Sequence, residues 1–250
     1  NKAQLEKWRE DYGEDSDFFR VRVRGMFPNL ASNALIGPDE VDAAMAREYK
    51  PGMFDYAPVI LGVDVARQGD DSSVIARRQG QVVFPLRALR VPDTTLVATQ
   101  VGMECTEHKA DACFVDATGG YGVGVIDSMR QTNHDPIEIY FNGKATDPRY
   151  FNKRSEMYFE LAKWIRGGGA LPYDPELKEE LCAAMYVFLG DKFRLVEKDD
   201  IKELIGRSPD KSDAVALTFA FPVAKRHPFA HHASVRDYDP YSVSVTNLDP

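Results

Sequence analysis

Cysteine is scarce in this sequence, and the three cysteines present do not form a recognisable pattern. Cys105, Cys113 and Cys182 lie far apart among 250 residues, with no CxxC pair and no histidines at zinc-finger spacing. An odd, scattered set argues against a disulfide framework and against a structural zinc site. We therefore expect buried, reduced thiols, as in an intracellular protein.

Long apolar stretches are also missing. No run approaches the roughly 20 apolar residues that a membrane-spanning helix needs, and no basic, apolar segment of the signal-peptide type opens the chain. The sequence therefore predicts a soluble protein without a membrane partner. Its 44% hydrophobic residues are sufficient to fill a core.

A phosphate-binding loop for ATP is absent as well. The pattern G-x-x-x-x-G-K-[ST] occurs nowhere in the chain. Residues 119–122 are rich in glycine but lack the lysine that such a loop requires. We expect no ATPase activity from this chain.

Positive charge is in the minority, with 31 Lys and Arg residues against 39 Asp and Glu residues and a net charge of −8. Because phosphate neutralisation supplies most of the affinity of DNA-binding proteins, this balance is unfavourable for that class. Local charge differs from the total, however, since segment 142–166 carries six basic and three acidic residues. Net charge therefore neither supports nor excludes a nucleic-acid partner.

Hydrophobic patterning predicts an α/β domain over residues 56–222. A near-continuous apolar run at 59–65 predicts a buried central strand, and short turns join it to further strands in an antiparallel meander. A mixed central sheet flanked by helices, with an added β-hairpin, is expected from the βββαβαβα order. The predicted strands after the first are 73–77, 82–86, 112–116 and 137–141, and the hairpin is formed by 186–189 and 193–196. One predicted helix runs from Pro92 to about His108, and a second follows the loop at 117–122 and continues through Met129. Three more helices are predicted over 152–166, 176–185 and 208–219, with Ser208 as the N-cap of the last.

The two ends of the chain differ from this domain. Residues 1–55 hold an alternating run at 19–24, with arginines at 20, 22 and 24 on one face, and a helix-like segment at 38–49. We interpret them as a connector, the tail of another module. Residues 223–250 lack periodicity and are expected to form a flexible extension. Its histidines, at 227, 231 and 232, are expected to face solvent.

Aspartates close two of the predicted apolar strands. Asp64 ends the first strand and Asp116 ends the fourth, which would be its parallel neighbour, so both would emerge at the same sheet edge. Asp213, on the last helix, can reach the same point. Converging carboxylates are costly unless they share a cation, and hard oxygen ligands suit Mg²⁺ or Mn²⁺. We predict that these three aspartates are catalytic and hold two divalent cations.

Other acidic residues are weaker candidates. Asp210 lies three residues before Asp213 and shares its helix face, so it is a further candidate metal ligand. A carboxylate in a first helical turn is also favourable without any function. Asp70 and Asp71 are expected to be ordinary turn residues.

Four basic residues are candidates for DNA binding. Lys153 and Arg154 begin a helix, where a positive charge is mildly unfavourable, and this favours contact with phosphate. Lys192 and Arg194 lie in the predicted hairpin, which either runs along DNA or faces solvent.

These motifs, taken in order, resemble the nuclease domain of the large terminase subunit of tailed double-stranded DNA bacteriophages, a member of the RNase H-like superfamily. Asp64 lies in the first resembling motif, Asp116 in the second and Asp213 in the third. The resembling segments are 62–66 with 69–73, 115–120 and 212–217, together with the basic helix start at 152–157 and the linker-like residues 13–16 and 19–25.

The resemblance implies an endonuclease that cuts concatemeric viral DNA during genome packaging. It implies double-stranded DNA, a portal protein and a small terminase subunit as partners, and an ATPase module in the full-length chain. It also implies a phage- or prophage-encoded protein of the host cytoplasm that acts transiently at the procapsid portal.

Three other functions remain open at this stage. Another RNase H-like enzyme, such as a junction resolvase or a hybrid nuclease, would use the same carboxylates. An actin-like phosphotransferase also carries Gly-x-Asp before a hairpin, but it needs a second domain for which 250 residues leave little room. A docking module with a vestigial site is the third.

Overall fold

The computed structural model describes residues 33–66, 72–91 and 93–225, together with Glu6 and Arg9. Several predicted features therefore lie outside the described residues. These are the strand at 19–24, the turn residues Asp70 and Asp71, and the three histidines of the C-terminal extension.

A mixed sheet forms the centre of the described region, as predicted, and it has six strands. Its order is β3-β2-β1-β5-β6, and β4 also pairs with β2. Strand β1 runs antiparallel to β2 and parallel to β5, which in turn runs parallel to β6. The strands are β1 Val59–Asp64, β2 Ser73–Gln79, β3 Val82–Val83, β4 Arg87–Leu89, β5 Ala112–Asp116 and β6 Ile137–Ile139.

Helices cover both faces of this sheet. One hydrophobic cluster joins α2 and α3 to the side chains of Leu61 and Val63, whereas the other joins α1, α4, α5 and α7 to that of Ile60. The helices are α1 Pro38–Met45, α2 Thr94–Glu107, α3 Tyr121–Gln131, α4 Lys153–Arg166, α5 Pro175–Ala183, α6 Lys198–Ile205 and α7 Asp210–Leu217. The predicted hairpin is formed by β7 Tyr186–Leu189 and β8 Lys192–Leu195.

Side-chain caps determine where three of the helices begin. Asp93 accepts a hydrogen bond from the backbone of Thr95 at the start of α2, and Asn152 accepts one from Ser155 at the start of α4. Asp174 does the same for α5. Each cap satisfies a backbone N–H that the helix itself leaves unpaired.

Several elements differ from the sequence prediction. The predicted strand 82–86 is shortened to β3, and a further strand, β4, follows at 87–89 and continues along β2. Pro85, which has no backbone N–H to donate, lies in the interruption between them. The last helix begins at Asp210, after Pro209, so Ser208 is not its N-cap. Helix α6, which patterning did not predict, follows β8 directly and buries only Ile201.

Part of the predicted connector belongs to the same core as the rest of the domain. Leu35, Ile36, Val41 and Ala44 are all buried and pack with residues of α4, α5 and α7. The main-chain N–H of Leu35 also donates to the carbonyl of Ala184. Residues 33–46 are therefore continuous with the core, although they precede the expected boundary at residue 55. None of the described helices is long and apolar enough to cross a bilayer.

Close backbone contact positions α7 against the central strand. A Cβ atom added at Gly62, on β1, would lie 2.2 Å from the carbonyl oxygen of Ala214 on α7. Glycine is therefore the residue that allows the helix to reach this depth. The contact places the first turns of α7, which carry Asp213, over the end of β1.

We expect Gly62→Ala to lower the free energy of unfolding by about 2–3 kcal/mol, since the added methyl forces α7 away from the sheet. Urea unfolding monitored by circular dichroism measures this change. Gly37→Ala is the matched control, because its Cβ would meet no atom closer than 3.7 Å, and it should cost less than about 1 kcal/mol. Equal losses for the two variants would contradict the packing argument.

Candidate active site

Two of the predicted site residues lie side by side at the carboxyl edge of the sheet. In the parallel pairing of β1 with β5, Val63 is opposite Val115, so Asp64 and Asp116 are the next residues along both strands. Side chains alternate between the faces of a sheet. Asp64 therefore shares the face of Gly62, and Asp116 shares the face of Phe114, which is the face covered by α7.

Helix α7 brings the third aspartate to this edge, and two charged residues from other elements bind its ends. The helix has no side-chain cap of its own at the N-terminus. Instead, the buried carboxylate of Glu180, on α5, accepts a hydrogen bond of 2.8 Å from the backbone N–H of Ser212. At the other end, Arg78 of β2 donates to the carbonyl oxygen and to the hydroxyl of Thr218. The positive charge of Arg78 has the sign that the dipole favours at the C-terminal end of a helix.

A lysine ammonium lies where the carboxylates converge. The Nζ atom of Lys198, the first residue of α6, is 3.1 Å from a carboxylate oxygen of each of three aspartates, Asp64, Asp210 and Asp213. In the described part of the chain, no three histidine, cysteine or acidic side chains are already arranged to hold a metal ion. The carboxylates of Asp64, Asp210 and Asp213 are instead gathered around this ammonium.

Burial and mutual repulsion perturb the ionisation of the group. Burial raises the pKa of Asp64 well above its usual value, and the other aspartates add to the rise, although Lys198 opposes it. Burial also raises the pKa of Asp116, against the hydrogen bonds from Thr118. The surrounding carboxylates outweigh desolvation at Lys198 and raise the pKa of its ammonium well above the usual value.

Asp213 differs from its neighbours because cations and donors surround it. Burial by itself would raise its pKa, but Arg154 and Lys198 outweigh burial and hold the pKa below the usual value. Its Oδ1 atom accepts a hydrogen bond from Arg154 Nε at 3.1 Å and another from the Tyr158 hydroxyl at 2.7 Å. Its Oδ2 atom is buried without a hydrogen-bond partner and faces Lys198.

The four predicted DNA-binding residues occupy two different environments. Lys153 and Arg154 are only 5% and 6% exposed, and their charges pair with Glu156 and Asp213. This placement favours an internal structural role for both, in place of the expected phosphate contact. Lys192 and Arg194 lie on the outer part of the hairpin, where Arg194 pairs with Glu197 and stacks over Phe151.

Three residues of the site escaped the sequence analysis. Lys198 lies at a helix N-terminus, where a cation is unfavourable, so the signal existed, but the helix itself was not predicted. Tyr158 has the spacing of a residue on the apolar face of α4, and the sequence does not indicate that its hydroxyl contacts Asp213. Glu180 looked like one of several charges on a surface helix, yet it is 2% exposed.

Glu180 gives the fold a pH dependence. Burial raises its pKa from 4.5 to about 8, so the folded state favours the protonated carboxyl. The contribution is complete below about pH 4.5 and is lost as pH rises through 8. Because Glu180→Gln keeps an acceptor but does not titrate, wild-type stability should fall relative to this variant between pH 5 and 8, by at most about 5 kcal/mol. Denaturant unfolding at a series of pH values measures the difference.

The neighbouring Glu179→Gln is the matched control, since the Glu179 side chain is 53% exposed. It should leave the slope of stability against pH unchanged. Parallel pH profiles for wild type and Glu180→Gln would contradict the assignment of a buried, proton-retaining carboxyl.

Several solved structures share this architecture. The nuclease domain of the large terminase subunit gp2 of bacterial virus Sf6 aligns with a TM-score of 0.64 and 21% identity, covering 76% of this chain and 99% of that one. The large terminase nuclease of thermophilic phage G20c aligns with a TM-score of 0.55 and 12% identity, over 75% and 98% of the two chains. Mutant Sf6 domains are solved with calcium or manganese, and the G20c nuclease with cobalt or magnesium.

A curated relative points to the same group of proteins, although no family model matches the chain. A probable terminase large subunit of Enterobacteria phage P7 is 25% identical over 229 residues, covering 83% of this chain. The chain spans 45% of the length of that relative. The described part of this chain therefore has the RNase H-like fold of the nuclease domains of phage large terminase subunits.

Proposed function

We propose that this chain is the nuclease module of a phage large terminase subunit, and that it cleaves double-stranded DNA with the help of divalent cations. The observation that carries the proposal is the convergence of four aspartates at one sheet edge. Asp64, Asp210 and Asp213 converge on a single positive charge, and the strand register places Asp116 beside them. The shared fold and the sequence similarity to a curated terminase support the same assignment.

The residues present fit divalent cations. All four candidate ligands offer hard carboxylate oxygens, which Mg²⁺ and Mn²⁺ prefer. The Oδ2 atom of Asp213 is buried without a hydrogen-bond partner, and an ammonium already occupies the space that it faces. With every group ionised, Lys198 and Arg154 leave the four carboxylates two charges short of neutrality. Asp64, Asp116 and Asp213 would hold the cations, with Asp210 beside them.

Two such cations, when bound, would supply an activated water and would stabilise the charge that develops on a phosphodiester during hydrolysis. The protein residues hold the carboxylates in register, and Arg154 and Lys198 favour the ionised form of Asp213. Lys198 has to leave its position for a cation to enter, because the ammonium already contacts an oxygen of each of three carboxylates. The side chain is 34% exposed, so it has a route towards solvent.

DNA would be held mainly through its phosphates, with little reading of bases. Lys192 and Arg194 on the hairpin are the described residues that we propose for this contact. In the register of the hairpin, Leu189 is opposite Lys192, and Val187 is opposite Arg194. One face of the hairpin therefore combines two cations with two partly exposed apolar side chains.

The similarity to terminase large subunits also suggests what the full-length protein contains and binds. We propose that the full-length protein also contains an ATPase module, that a portal protein and a small terminase subunit are its partners, and that it cuts concatemeric viral DNA during packaging. On this proposal the protein works in the host cytoplasm and binds transiently at the procapsid portal.

We expect the purified chain to cleave supercoiled plasmid DNA with Mn²⁺ or Mg²⁺ and not with EDTA. Asp64→Asn should reduce the cleavage rate at least about 100-fold, because it removes an ionised ligand at the point of convergence. Asp127→Asn, at a side chain that is 63% exposed on α3, is the control and should cut as wild type does. Equal cutting by wild type and Asp64→Asn would place the activity elsewhere.

The substrate separates the alternatives within the fold. A terminase nuclease should cut duplex DNA in preference to a four-way junction or an RNA–DNA hybrid of the same length. Preference for the junction would indicate a resolvase, and preference for the hybrid would indicate a hybrid nuclease. Failure to bind Mn²⁺, together with the absence of cleavage, would indicate a docking module.

We expect Lys198→Ala to make the fold depend on divalent cations. In metal-free buffer the variant should be about 1–2 kcal/mol less stable than wild type, less than for a fully buried pair because the lysine is partly exposed. Mn²⁺ should then raise its melting temperature by more than it raises that of wild type. Lys202→Ala, on the same helix, is the control. An equal Mn²⁺ response of wild type and Lys198→Ala would contradict the overlap of ammonium and cation.

A further inference from the structure

The two carboxylate oxygens of Asp213 have different contacts. Oδ1 receives the Tyr158 hydroxyl at 2.7 Å and Arg154 Nε at 3.1 Å, and Arg154 Nη2 lies 3.1 Å from the same atom. Oδ2 has no hydrogen-bond partner and faces Lys198. The oxygen facing the carboxylate cluster thus has the ion-pair contact with Lys198 and no hydrogen bond.

The arrangement of Arg154 is not the one that a simple ion pair would adopt. A guanidinium usually binds a carboxylate with two parallel hydrogen bonds, one to each oxygen. Here both nearby nitrogens of Arg154 approach Oδ1, and the third, Nη1, donates to the carbonyl oxygen of Val196 at 3.0 Å. Val196 lies two residues before Lys198, so one buried side chain contacts both Asp213 and the segment that leads to the ammonium.

Tyr158 completes this arrangement from the next turn of α4. Its side chain is fully buried, and its hydroxyl lies 2.8 Å from Ser212 Oγ as well as 2.7 Å from Asp213. A buried hydroxyl that contacts two consecutive residues of α7 fixes both the position and the rotation of that turn. Burying this polar group is costly unless such partners satisfy it.

We infer that Tyr158 and Arg154 are positioning residues, which hold Asp213 so that only Oδ2 is presented to the cation site. The inference rests on the proposed nuclease function, since it concerns the cations proposed there. The inference gives Arg154, one of the two basic residues at the start of α4, a specific role inside the site. Carboxylate ligands of metals depend on hydrogen bonds of this kind, and their removal typically weakens metal binding about 10–100-fold.

Tyr158→Phe tests the inference, because it keeps the buried ring and removes only the hydroxyl. Mn²⁺ affinity, measured on the DNA-free protein by electron paramagnetic resonance of the unbound ion, should fall about tenfold. The Mn²⁺ concentration that gives half-maximal cleavage should rise by a similar factor, while the rate at saturating Mn²⁺ changes less than about threefold. Tyr150→Phe, at a buried tyrosine that packs against Phe159 and Phe193, is the matched control and should bind Mn²⁺ as wild type does.

Arg154→Lys is the second variant, since it keeps the charge but cannot reach both Asp213 and Val196 in the same way. It should also weaken Mn²⁺ binding. If Tyr158→Phe lowers the melting temperature and leaves Mn²⁺ affinity unchanged, the tyrosine is only structural and the inference is overturned. If wild type binds Mn²⁺ and cuts DNA, that result leaves the proposed function standing. If wild type neither binds Mn²⁺ nor cuts, both the function and the inference fail.

Discussion

Repulsion among buried carboxylates is the constraint on which the rest of this site depends. Four aspartates converge at one edge of the sheet: Asp64, Asp116, Asp210 and Asp213. Negative charges gathered this closely cannot all remain ionised unless positive charges compensate them. The protein supplies two positively charged side chains for this compensation. Arg154 pairs with Asp213 from inside, and Lys198 reaches the centre from a helix whose only buried side chain is that of Ile201. Arg154 is thus built into the core, whereas Lys198 is the side chain that we propose a divalent cation displaces.

The proposed exchange requires that the carboxylates stay in place when the ammonium leaves. Their backbone positions are held by contacts away from the charges. Gly62 lets α7 lie directly on β1, and Gly122 similarly lets α3 approach the carbonyl oxygen of Asp116, where an added Cβ would be 1.7 Å away. Glu180 and Arg78 bind the two ends of α7. The short helix therefore owes its position to the sheet and to α5, and little to its own eight residues, because isolated helices of that length are unstable in water.

Sequence patterning was sufficient to predict the regular secondary structure that forms the sheet. Alternating and continuous apolar runs located the strands that end at Asp64 and Asp116, and their parallel pairing follows from the intervening helix. Patterning failed where a residue acts through a contact distant in sequence. Tyr158 reads as a core residue at helical spacing, and only the packing of α4 on α7 shows that its hydroxyl meets Asp213. Arg154 was expected to contact phosphate because a cation is unfavourable at a helix start, and the structure instead stabilises it with a buried carboxylate. Helix α6 was not predicted from the sequence, so Lys198 was missed with it.

The most direct test of the account is a crystal structure of the chain grown with Mn²⁺, in which anomalous scattering locates the ion. The account predicts an anomalous peak between the carboxylates of Asp64, Asp116 and Asp213, with the Lys198 ammonium displaced from its present contacts. An ammonium that keeps all three contacts at saturating Mn²⁺, with no anomalous peak at these aspartates, would contradict it.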